Sequence, residues 1–143
     1  MYCVVSASQQ IIINSVTPDE VSEYDWLRLN VPEADRPDYQ RRYRNFWAMN
    51  VAQLSGDFYA LYFKILKEGT ALPLGDLCQR LYDASVRRNG ARTLQFSFAT
   101  KLLHPLSPHL PVCDSFVARF FLFQAPPSDM PLKERVDDRA FSR

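Results

Sequence analysis

At 143 residues, 47% of them hydrophobic, the chain is long enough for one domain with a real core and too short for two comfortable ones. No segment approaches the roughly 18 uninterrupted apolar residues of a membrane span, MYCVVSASQQIIINS has no basic leader of the kind that opens a signal peptide, and three cysteines without CxxC spacing argue against a disulfide framework and a zinc knuckle. The expectation is a cytoplasmic protein with reduced thiols, whose net charge of +1 disfavours non-selective binding to DNA.

The charge is unevenly spread. Residues 1–35 carry Asp19, Glu20, Glu23, Asp25, Glu33 and Asp35 against the lone Arg28, a net of −5, which leaves +6 for the remainder. The chain therefore reads as a single domain made of an acidic N-terminal segment (1–35), a helical core (36–124) and a tail or incomplete helix (125–143). In chain order, IIINSV is a candidate short strand. Thr17 followed by Pro18, Asp19 and Glu20 then has the form of a helix start. NVPEADRPD reads as loop. From Pro37, the residues Tyr39, Tyr43, Phe46, Trp47, Asn50, Val51 and Leu54 recur at helical spacing, predicting an amphipathic helix that continues to Gly56.

Asp57 is the expected cap of the next helix, FYALYFKILKEG, which is apolar almost all round and ends at Gly69. After the proline turn ALPLG comes DLCQRLYDASVRRNG, with the stripe Leu77, Leu81 and Ala84, its C-terminus predicted at Asn89-Gly90. A fifth helix over about 94–104 holds Lys101, and a sixth runs from Asp114 to about Phe123. The tail MPLKERVDDRAFSR begins like one more. The expected class is mainly α, a single-domain helical bundle, with little strand after residue 16.

The chemistry-bearing pair is Lys101 and Asp114, on the two sides of a proline-stiffened connection. A lysine amine becomes a nucleophile toward a carbonyl or sugar carbon when burial or nearby positive charge disfavours its ammonium form. Phe96, Phe98, Leu102 and Leu103 flank Lys101, and Arg87, Arg88 and Arg92 precede it with no acid between residues 84 and 113. A carboxylate at a helix start is held ionised by backbone N–H groups and stabilises developing positive charge. The plainer reading is an Asp N-cap, which contributes about 1 kcal/mol, and a lysine whose stem lies on the core while its amine reaches solvent.

FSFATKLL followed by LPVCDSFV resembles the lysine hairpin and aspartate helix of the helix-hairpin-helix DNA glycosylase superfamily, in particular its 8-oxoguanine DNA glycosylase branch. Thr100-Lys101 matches the Thr-Lys pair of that family, and Pro111-Val112 with Asp114 matches its Pro-Val-Asp segment. The resemblance implies a compact, divergent member acting on a modified or oxidised base in DNA. Lys101 would attack the sugar C1′ of an extruded nucleotide and Asp114 would assist. It implies DNA contacts at Arg87, Arg88, Arg92 and Thr100, and no cofactor or metal. The chain departs from the pattern at Gln95, Phe96, Ser97 and Phe98, where the family carries glycines, and at Cys113, inserted before Asp114. Those departures keep a second reading open: a non-catalytic helical adaptor that retains the fold and binds a protein partner through the basic helix near Arg41 and Arg42.

Other signals point to structure. His104, His109 and Cys113 lack the fourth ligand and tight spacing of a zinc site. The aromatics of RPDYQRRYRNFW fit a core face better than a base-stacking groove. Phe116, Phe120, Phe121 and Phe123 read as hydrophobic centre.

Overall fold

A computed structural model describes residues 16–70, 72–85, 90–113 and 129–141, with side chains through Asp137. They form the helices α1 (Pro18–Leu29), α2 (Pro37–Phe46), α3 (Gly56–Glu68), α4 (Leu74–Ala84), α5 (Phe96–Leu106) and α6 (Leu132–Phe141), with 3-10 turns at Val31–Glu33 and Met49–Ala52. No strand occurs among the described residues. The mainly helical class is as the periodicity predicts. IIINSV and the expected helix from Asp114 to Phe123 lie outside the described residues.

α1 starts where its sequence says it should. Thr17 accepts from the Glu20 amide at 3.2 Å while the Glu20 carboxylate accepts from the Thr17 amide at 2.8 Å, a reciprocal capping box with Pro18 in the first turn. Those bonds to Thr17 hold the Glu20 carboxyl below its usual pKa. Its partner is α2, which Arg42 clamps from across the gap: the guanidinium lies 3.5 Å above the Trp26 ring centre and donates to Glu23 at 2.8 Å, lowering the Glu23 pKa. The segment NVPEADRPD, expected as loop, winds into a 3-10 turn that buries Val31 and Ala34.

α2 is shorter than its periodicity predicts. It ends at Phe46, Ala48 turns left-handed at φ 51°, and the chain makes a 3-10 turn instead of continuing to Gly56. The aromatic pattern misleads here because Met49, off the predicted stripe, is the fully buried residue, whereas Val51, on it, is 82% exposed. Tyr59 fastens the turn by donating to the Met49 carbonyl at 2.9 Å. Likewise Ser55, not Asp57, caps α3, accepting from the Phe58 amide at 3.2 Å, which leaves Asp57 in the first turn where the helix dipole favours a carboxylate. The C-terminus of α3 is as expected, with Gly69 left-handed at φ 66°. α4 stops at Ala84, five residues before Asn89, because the buried Ser85 hydroxyl, 2.8 Å from the carbonyls of both Tyr82 and Thr93, has its one proton to share between them and accepts from the Thr93 amide at 3.3 Å. That exchange swaps a further helical turn for a cross-link to the strand-like approach to α5.

α3 packs on α4 and α5, α4 packs on α5 and α6, and α1 packs on α2 and α5. One hydrophobic cluster gathers residues from Leu27 to Val136, with Tyr39, Tyr43, Phe58, Tyr62 and Phe63 at its centre. Tyr39 and Tyr43 are thus core side chains and not stacking platforms. Their buried hydroxyls are held neutral, since burial pushes each pKa well up.

The sequence predicts the end of α5 near residue 104, yet the helix passes through Pro105 to Leu106. A proline inside a helix removes the N–H that would bond the carbonyl four residues back, here that of Lys101. Tyr43 supplies the missing donor at 2.8 Å. Its neighbour Tyr62 lies 3.1 Å from the Tyr43 oxygen and 3.1 Å from the Phe98 carbonyl. Tyr62 donates to the Phe98 carbonyl, so the two neighbouring hydroxyls bond the Phe98 and Lys101 carbonyls of α5, one each. Tyr43→Phe is expected to lower unfolding stability by about 1–3 kcal/mol in chemical denaturation, the usual penalty for a bare buried acceptor. In Pro105→Ala, which restores a backbone donor to Lys101, the same substitution should cost distinctly less. Equal penalties in the two backgrounds would rule the compensation out.

Candidate functional site

Lys101 is the side chain around which the candidate site is built, and it is only 7% exposed. It does not reach solvent in the manner of an ordinary amphipathic helix. Its amine donates to the Trp47 carbonyl at 3.3 Å and stands 5.6 Å from the Trp47 ring centre and 5.8 Å from that of Phe98. Trp47 is the C-cap of α2, so this carbonyl belongs to the negative end of a helix dipole. Tyr43 and Trp47, one helical turn apart, therefore hold Lys101 by its carbonyl and by its amine.

The wall beyond Trp47 is aromatic. Tyr24 packs edge-on to Trp47 with centroids 6.4 Å apart, and meets the His104 ring at 5.6 Å and Phe46 at 6.1 Å. The Tyr24 hydroxyl and the Trp47 indole nitrogen are buried and have no hydrogen-bond partner among the described residues. Burial pushes the Tyr24 pKa up, partly offset by Arg28, so the hydroxyl stays protonated. His104 sits three residues after Lys101 on α5, and its Nδ1 lies 2.6 Å from the Leu110 carbonyl. A carbonyl only accepts, so Nδ1 carries the proton.

Thr100 is equally buried, at 7% exposure, and its hydroxyl is engaged inside the protein. It donates to the Ser97 carbonyl at 2.9 Å, with the Cys113 carbonyl at 3.3 Å, and accepts from the Cys113 amide at 3.1 Å. The residue that immediately precedes Asp114 is thereby pinned to the residue that immediately precedes Lys101. Asp114, Arg87 and Arg88 lie outside the described residues, as does the phenylalanine cluster from Phe116 to Phe123. Arg92 is exposed. Among the described residues no group of three or more His, Cys, Asp or Glu side chains is placed to hold a metal ion, and no helix is long and apolar enough to cross a membrane. No family model, curated protein or solved structure matches the chain.

Sequence reasoning isolated Lys101 but missed Tyr43, Trp47 and Tyr24 as its surroundings. One signal was available: Pro105 stands four residues after Lys101 and so announces a carbonyl in need of a donor. Nothing local announces Trp47, which reaches Lys101 across 54 residues. The buried amine makes a direct prediction. In reductive methylation of the native protein followed by peptide mass spectrometry, Lys101 should react at least about tenfold more slowly than the exposed Lys64 and Lys133. Labelling at the same rate as Lys64 would mean that the Trp47 carbonyl does not hold the amine.

Proposed function

We propose that the protein is a DNA glycosylase of the helix-hairpin-helix type, acting on a modified or oxidised base of the 8-oxoguanine kind. The observation that supports this reading best is the Thr100–Cys113 pairing. It draws together the two halves of the motif, FSFATKLL and LPVCDSFV, which 13 residues of chain separate between the bonded groups. In this reading the Lys101 amine, once deprotonated, attacks C1′ of an extruded nucleotide. The glycosidic C–N bond breaks, the base departs with a proton, and ring opening leaves a Schiff base between Lys101 and the sugar. Asp114 stabilises the positive charge that develops on the sugar and assists proton transfer. Arg87, Arg88 and Arg92 contact phosphates, and duplex DNA is the partner.

One observation favours a second reading, a helical adaptor without catalysis. An ammonium at the C-terminal carbonyl of α2 is already a sufficient structural use for Lys101, and Gln95, Phe96, Ser97 and Phe98 stand where hairpin glycines would let backbone approach phosphate. Borohydride trapping on duplexes carrying 8-oxoguanine or an abasic site separates the two. The enzyme reading expects a covalent adduct that disappears in Lys101→Gln, and base excision reduced on the order of a hundredfold or more in Asp114→Asn. A folded wild-type protein that forms no adduct with any of these duplexes would leave the adaptor.

A further inference from the structure

We infer that α1 is a lid beside Lys101: its first two turns swing off α2 and α5 about an anchored end at Leu27, with Glu23 and Arg42 as the latch. The helix is held unevenly. At its C-terminal end Leu27 is buried, its carbonyl accepts from the Tyr39 hydroxyl at 3.0 Å, and the Asn30 side chain donates to the Trp26 carbonyl at 2.8 Å. At its N-terminal end every residue from Pro18 to Ser22 is exposed. Those turns are kept helical by bonds internal to α1, namely the Thr17–Glu20 capping box and the Ser22 hydroxyl, which donates to the Pro18 carbonyl at 2.9 Å. A helix end that needs no tertiary partner to keep its shape is free to move as one piece.

Above the anchor, two contacts hold α1 down. Glu23 accepts two bonds from Arg42, at 2.8 and 2.5 Å, and the two side chains are 31% and 32% exposed. An ion pair so open to water is screened and holds weakly. The second contact is Tyr24, packed against Phe46, Trp47 and His104. With α1 down, the Tyr24 hydroxyl and the Trp47 indole nitrogen are buried without a hydrogen-bond partner among the described residues. Each such group disfavours the closed position by about fivefold to a hundredfold in its equilibrium, because water bonds it in the open one. Trp47 is also a neighbour of the Lys101 amine, which bonds its carbonyl and lies 5.6 Å from its ring centre. Lifting α1 therefore uncovers Trp47 and, through it, Lys101.

Reductive methylation of the native protein reads the open position, since the Lys101 amine reacts only when solvent reaches it; the exposed Lys64 and Lys133 are the internal references. Two substitutions on α1 should move the Lys101 rate in opposite directions. Glu23→Gln keeps the shape and removes the charge of the latch, and should speed labelling about twofold to fivefold. Tyr24→Phe keeps the ring and removes the hydroxyl that only the open position hydrates, and should slow it about fivefold or more. A lid exposes little surface, so the Lys101 rate should stay nearly flat in urea below the unfolding transition, whereas labelling through global unfolding climbs steeply with urea. An unchanged rate in Glu23→Gln, a rate in Tyr24→Phe that is not slower, or a steep urea dependence would each overturn the lid. None of these measurements involves DNA, so the lid and the glycosylase reading fail separately.

Discussion

The structure depends on how the buried Lys101 amine is accommodated. A charged side chain inside a protein core is tolerated only when it is paired or hydrogen-bonded, and Lys101 sits among Trp47, Phe98 and the aromatic centre. α2 resolves this with two residues one turn apart. Trp47 offers a helix-terminal carbonyl to the amine, and Tyr43 offers a hydroxyl to the carbonyl that Pro105 leaves without its helical partner. Because both grips come from α2, the early end of that helix is part of the same arrangement. Continuing α2 toward Gly56 would place the Trp47 carbonyl in an ordinary i to i+4 bond and withdraw it from Lys101. The left-handed Ala48 and the 3-10 turn that follows are the backbone form of that choice.

The same arrangement explains why the core is so rich in tyrosine. Phenylalanine would serve for packing at positions 43 and 62, and it would avoid burying two hydroxyls. Their presence makes sense once α5 must carry a proline through its last turn. Tyr62 donates to the Phe98 carbonyl, Tyr43 donates to that of Lys101, and the pair brings α3 and α2 to bear on one turn of α5. α5 is in consequence held more firmly at Lys101 than its own hydrogen bonds could manage, and the Thr100 and His104 attachments extend that firmness into the connection leading to Cys113.

The features legible in the sequence are those that local chemistry decides. Thr17 with Glu20, Pro18 and Gly69 mark helix ends through bonds that span three or four residues, and they stand where the sequence puts them. The failures have a common cause. At Trp47, at Ala84 and at Pro105 a tertiary hydrogen bond outweighs the local preference: Lys101 takes the carbonyl, Ser85 cross-links to Thr93, and Tyr43 replaces the lost donor. Each partner lies between 8 and 58 residues away, beyond the reach of periodicity. The candidate site was legible in the same measure. Lys101 stands out from its apolar neighbours, but the aromatic wall of Tyr24 and Trp47 belongs to helices that only the fold brings near.

A cap and a nucleophile make opposite demands on an amine, and their magnitudes decide whether one residue can meet both. Held at the end of α2, a charged Lys101 gains about 1.5–3 kcal/mol from a charge-assisted hydrogen bond, with up to about 2 kcal/mol of overlapping dipole attraction in a partly buried setting. Leaving that position to attack a sugar forfeits the gain, a rate penalty on the order of a hundredfold at about 1.4 kcal/mol per factor of ten. Enzymatic rate enhancements correspond to about 8 kcal/mol at the least. A cap of this kind would slow such chemistry without forbidding it, and it keeps the amine in one place, away from solvent and beside the Trp47 carbonyl.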